Sequence, residues 1–158
     1  MTPEELRLDE AKRWLALAGK DLRAAQLLIT EKPTSSVFHS QQGAEKSAKA
    51  LLTLGNVVFR RTHDLAELGN QCAMLEPSLI SLLKEAADLT EYAVIFRYLD
   101  APREPDLAEA EAALATARRV RSGRAEFYPS VAGNRRLTLP DSLLSASGSE
   151  TVLERHEI

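Results

Sequence analysis

From Ala11 onward the apolar positions fall at Ala11, Trp14, Leu15, Ala18, Leu22, Ala25 and Ile29, a three-four alternation that keeps one side of a helix apolar. Thr2-Pro3-Glu4-Glu5 supplies an N-cap, a proline at the first helical position and an acid at the third, so helix 1 is expected to begin there or within two turns. Lys32-Pro33 stops it. A second helix is predicted from the hydroxyls of Thr34-Ser35-Ser36 to Gly55-Asn56, carrying Phe38, Gln41, Ala44, Ala48, Leu51 and Leu52. Its inner side has the small residues Gly43, Ala44, Ser47 and Ala48, which suits the centre of a bundle or a dimer seam.

Val57 to Thr62 reads as a loop, and Asp64-Leu65-Ala66-Glu67 is a capping-box pattern that opens a short helix 3 ending between Gly69 and Met74. After Glu76-Pro77-Ser78 the stripe Leu79, Leu82, Leu83, Ala86, Leu89, Ala93 and Phe96 predicts helix 4, ended by Asp100-Ala101-Pro102. Pro105-Asp106 with Glu109 opens helix 5, with Leu107, Ala110, Leu114, Ala117 and Val120 inward and Arg118, Arg119, Arg121 and Arg124 near its C-terminal end, where cations suit the helix dipole. Beyond Tyr128-Pro129 no aromatic residue or sustained stripe remains. The expected architecture is all-α, an up-and-down bundle of four to five helices over residues 1–128, with residues 129–158 a flexible tail.

Composition narrows the function classes. At 158 residues, the chain is one domain's worth of sequence. A net charge of −3 creates no global positive field, so any nucleic-acid site is local. Cys72 has no second cysteine to pair with, and three histidines cannot assemble a multi-ligand zinc spacing, so no metal or cofactor is expected. The N-terminus lacks an apolar leader-like stretch and no run reaches the length of a membrane span, which points to a cytoplasmic protein.

Three segments carry a resemblance. Phe38-His39-Ser40-Gln41-Gln42-Gly43-Ala44-Glu45-Lys46-Ser47-Ala48-Lys49-Ala50-Leu51-Leu52, then Thr62-His63-Asp64-Leu65, then Arg97-Tyr98 resemble, in this order, the signature of HEPN domains. The match spans roughly residues 8 to 125 and includes the early Lys12-Arg13-Trp14-Leu15 stretch. The resemblance implies a helical bundle that often forms a homodimer, in a family tied to nucleotides and RNA whose members commonly sit beside a minimal nucleotidyltransferase as a two-protein, toxin–antitoxin-like module. Many members are metal-independent ribonucleases built on an Arg, four to six residues, and a His. That spacing is absent here: Arg60 and Arg61 precede His63 by too little, Arg23 lies too far before His39, and no histidine follows Arg97 until His156. At the positions downstream of Arg97 stand Pro102, Arg103 and Glu104, none of which can exchange protons as imidazole does.

The readings left open are an interaction module that binds nucleotide or RNA locally, a ribonuclease with a degenerate active site using Arg97 with His63 or His39, and a purely structural oligomerisation bundle. Lys46, Lys49, Arg60, Arg61 and His63 are the candidate phosphate-binding residues, against the alternative of a solvated face. Asp21 is expected to pair across the bundle with Arg97 or a lysine, Trp14 to serve the core, and Cys72 to be a buried, unreactive thiol.

Overall fold

The structure, a computed structural model, describes residues 1–95 and 103–132, with side chains described to residue 123. The chain divides into two units, Met1–Arg124 and Ala125–Ile158. Among the described residues the elements are α1 (Pro3–Leu28), α2 (Pro33–Leu54), α3 (Leu65–Leu75), a short 3-10 turn (Pro77–Leu79), α4 (Ile80–Ile95) and α5 (Leu107–Ala132), with no strand. The fold is an all-α bundle. Arg97, Pro102 and residues 133–158 of the expected tail lie outside the described residues.

Helix starts follow local chemistry. The capping box at α1 is complete: the Glu5 amide donates to Thr2 Oγ1 at 3.1 Å and the Thr2 amide to Glu5 Oε2 at 2.6 Å. A reciprocal pair opens α5, where the Glu109 amide donates to Asp106 Oδ1 at 2.8 Å and the Asp106 amide to Glu109 Oε2 at 2.8 Å. The box expected at α3 is one-sided. Asp64 accepts from the Ala66 amide at 2.8 Å, while Glu67 turns away to bind Arg60. α2 begins one residue earlier than its hydroxyls suggested, with Pro33 at the first helical position and no side-chain cap. The hydroxyl of Ser36 instead bonds the carbonyl of Ala25 at 2.8 Å and ties α2 to α1.

α2 ends in a Schellman arrangement in which Asn56 takes the left-handed conformation at φ 55°. The Val57 amide reaches Leu52 O at 2.9 Å and the Asn56 amide reaches Thr53 O at 3.1 Å. α2 is the central helix, buried on most of its circumference from Ser36 to Thr53. Its small residues serve the bundle interior rather than a dimer seam: a methyl group placed on Gly43 would stand 2.6 Å from Leu22 Cδ2 of α1. Ala11, Leu15, Ala18, Leu22 and Ala25 of α1 form the buried face the sequence predicted.

α3 packs on α4 and both pack on α2. The apolar stripe of α4 faces inward through Leu83, Ala86, Leu89 and Ala93. α5 turns Ala110, Ala113, Leu114, Ala117 and Val120 inward, but Leu107 is exposed, because it opens the helix. The arginines expected at the C-terminal end of α5 stand mid-helix, since the helix runs on to Ala132. They act between helices: Arg118 donates to Gln26 of α1 at 2.8 Å, and Arg119 pairs with Glu85 of α4, which also accepts from Thr116 at 2.7 Å.

Candidate functional site

Gln41, Glu45 and Lys49 stand four residues apart on α2, a spacing that stacks side chains along one flank of a helix. In a helix so deeply enclosed, that flank becomes a buried polar seam. Glu45 is 2% exposed and gathers four donors: Lys49 Nζ at 2.7 Å, His63 Nδ1 at 3.2 Å, Gln41 Nε2 at 3.2 Å and Gln42 Nε2 at 3.3 Å. A buried carboxylate requires this density of partners, because each missing bond would leave charge desolvated. Gln41 also donates to the backbone carbonyl of His63 at 3.2 Å, which fixes the loop between α2 and α3 over the seam.

The ring of His63 bonds the Glu45 carboxylate through Nδ1, at 3.2 Å from each oxygen. An ionised carboxylate only accepts, so Nδ1 donates to Glu45, and Nε2 is carried on a side chain that is 83% exposed. A buried acid orienting an imidazole whose other nitrogen meets solvent is the arrangement that general-base chemistry or phosphate contact requires. Lys49 lies over the Trp14 ring at 5.4 Å, and Trp14 meets Phe59 edge-on at 6.5 Å between centroids, so an aromatic pair and a cation line the same seam. Trp14 is half-buried, as a core-side residue of α1.

A second cluster adjoins on α2. Asp21 of α1 binds His39 Nδ1 at 2.9 Å and is paired with Lys46, all three side chains being at least partly buried. The sequence expectation of a lysine partner for Asp21 is met by Lys46; its other candidate, Arg97, lies outside the described residues.

The candidate phosphate-binding residues thus meet different fates. Lys46 and Lys49 are matched by Asp21 and Glu45. Arg60 forms a two-pronged pair with Glu67 at 2.7 and 2.6 Å, which raises the guanidinium's pKa and lowers the carboxyl's. Arg61 is exposed and makes no ion pair among the described residues, and it stands two positions before His63. Farther along, Arg103 is held by Glu109 at 2.6 Å on both prongs, and that hydrogen bonding pulls the Glu109 carboxyl down to about 2. Cys72 is fully buried, its thiol pushed up to about 12 by burial. The described residues contain no cluster of three or more His, Cys, Asp or Glu able to hold a metal, and no helix long and apolar enough to cross a membrane.

Sequence reasoning missed Glu45 and Gln41 as the organising pair. The signal was present as the Gln41, Glu45, Lys49 spacing, which placed an acid between an amide and a cation on one helix flank.

Comparison with known proteins points the same way as the resemblance. A protein of Methanocaldococcus jannaschii named "Putative toxin MJ1304" is 33% identical over 96 residues, which cover 56% of this chain and 62% of that protein, so the match spans less than two thirds of the relative's length. No solved structure gives a significant match. The family model described as HEPN domain matches residues 11–125, a stretch that runs from within α1 into α5 and takes in the polar seam. On that match the chain belongs to the HEPN domain family.

Proposed function

We propose that this HEPN domain is a nucleotide- or RNA-associated module acting in a two-protein system of toxin–antitoxin type, with a minimal nucleotidyltransferase as its partner. The observation that carries the reading is the Glu45-held imidazole of His63, exposed beside Arg61 and able to meet a phosphate or a ribose hydroxyl. The name of the archaeal relative supports the toxin setting. Because Lys46, Lys49 and Arg60 are matched by acids, binding rests on few charges, and its dependence on salt is shallow.

The same dyad favours a second reading, metal-independent cleavage of RNA, in which His63 moves the proton. One experiment addresses both. Labelled RNA is incubated in chelator with the full chain and with His63→Ala and Arg61→Ala variants, then followed by filter retention and on a denaturing gel. Retention that falls in both variants with intact RNA supports the module. Cleavage abolished by His63→Ala establishes the ribonuclease. Equal retention by all three proteins overturns this site.

A further inference from the structure

The buried face of α1 lies against the bundle, and the opposite face of this 26-residue helix is open. Three leucines stand on the open side: Leu6, Leu17 and Leu27 are 52%, 43% and 74% exposed. Leu6, Arg13, Lys20 and Leu27 recur every seven residues, and Leu17 lies four residues after Arg13 and three before Lys20. All five therefore share one stripe, about 30 Å long. Exposed leucines taken singly are ordinary; leucines interleaved with cations along one helix stripe are the pattern of a helix that lies in an interface between water and lipid.

The charge of this face names what it meets. The whole chain carries −3, yet residues 11–30 carry Lys12, Arg13, Lys20 and Arg23 against a single acid, Asp21. That acid is turned inward, 13% exposed, and is matched by Lys46 and His39. Lys12, Lys20 and Arg23 form no ion pair among the described residues, and Arg13 has only the solvent-exposed Asp9, at 3.3 Å. Arg23 adjoins the stripe, three residues after Lys20 and four before Leu27. α1 has no phenylalanine, tyrosine or histidine, and its Trp14 is engaged by Lys49 and Phe59, so the stripe offers no platform on which bases could stack. A phosphate backbone would also leave the leucines unused. A bilayer bearing anionic headgroups answers both components, with headgroup charge for the cations and acyl chain for the leucines. No described helix is long and apolar enough to cross a membrane, and this contact needs none, since the helix lies along the surface.

We propose that the outer face of α1 seats on an anionic lipid surface, with Leu17 and Leu27 entering the boundary between headgroups and acyl chains and Lys20 and Arg23 meeting headgroup charge. The contact is independent of the nucleotide reading, which requires only the Glu45–His63 corner.

Cosedimentation of the full chain with large unilamellar vesicles tests it. The wild type is expected to pellet with vesicles of phosphatidylcholine and phosphatidylserine, to stay in solution with phosphatidylcholine alone, and to be released by added salt. Joint Lys20→Glu and Arg23→Glu is expected to weaken binding at least about tenfold. Joint Leu17→Asn and Leu27→Asn, which leaves the charge unchanged, is expected to weaken it at least about fivefold. Lys84→Glu, a charge reversal on exposed α4 surface, is expected to bind like the wild type. All the substituted side chains are exposed, and circular dichroism verifies that each variant is folded. Equal binding to both kinds of vesicle, binding to neither, or a leucine variant that binds like the wild type overturns the proposal. Loss of RNA retention in the Lys20→Glu, Arg23→Glu protein, with no vesicle binding by the wild type, overturns it as well and assigns the face to nucleic acid. Vesicle binding that follows these expectations in a protein that retains no RNA supports the lipid contact and removes the nucleotide reading.

Discussion

Removing the Glu45 carboxylate strands the Lys49 ammonium in a site where 9% of its side chain meets water. Breaking a buried pair from one side typically costs about 3–5 kcal/mol, so Glu45→Ala is expected to lower stability by that order in urea unfolding. The joint replacement Glu45→Met with Lys49→Met removes both charges and is expected to cost far less, which distinguishes a desolvation penalty from lost packing. His63→Ala, on an exposed side chain, should shift stability by no more than about 1 kcal/mol while altering RNA retention. Cys72 gives a chemical check on burial: with its thiol pushed up to about 12, it should resist a thiol-specific reagent at mild pH in the native protein and react on unfolding.

At the scale of elements, the α1–α2 contact is set by Gly43. Gly43→Ala gains helix propensity of about 1 kcal/mol but forces Leu22, 2.6 Å from the new methyl group, out of a packed position, at about 1–3 kcal/mol. A net loss near 1 kcal/mol is expected in thermal or urea unfolding. The end of α2 responds in the opposite sense. Asn56 holds a left-handed conformation that glycine adopts freely, so Asn56→Gly is expected to stabilise modestly, and Asn56→Ala to cost about 1 kcal/mol. Much of this layout is legible from sequence, because caps and apolar periods are local: Thr2, Asp64 and Asp106 each mark a helix start. The polar seam is only partly local: Glu45 and Lys49 are four residues apart on one helix, whereas the contact with His63 comes from the loop beyond it. Lys46 and Lys49 read as a cationic flank until Asp21 arrives from α1 and Glu45 turns inward beneath the loop bearing His63, and both events depend on how helices pack. Leu107 shows the reverse error, an apolar residue in register with its stripe that stands too near the helix start to be covered.

For the molecule as a whole, α5 is tied to α4 and α1 by polar contacts as well as by its apolar face. Arg103 and Glu109 fasten the start of that helix, and the resulting carboxyl pKa gives the domain a stated acid response. Glu109 falls from its ordinary 4.5 to about 2 in the folded state, so the stabilisation it supplies is present above 4.5 and is lost as pH falls from there toward 2. Arg103→Gln is expected to flatten that part of the stability-versus-pH curve, measured by urea unfolding across the interval at low salt. The effect belongs to an exposed pair and should shrink as salt is added.

The packing of Trp14 has an optical consequence. It is the sole tryptophan in the chain, and its indole lies under the Lys49 ammonium and against Phe59, one contact away from the carboxylate that holds His63. Excited indole is sensitive to nearby charge, so the wavelength and intensity of the intrinsic fluorescence should register any ligand or proton that disturbs the Glu45–Lys49 pair. The protein thus carries a built-in, single-site spectroscopic probe at its own polar seam, readable without labels.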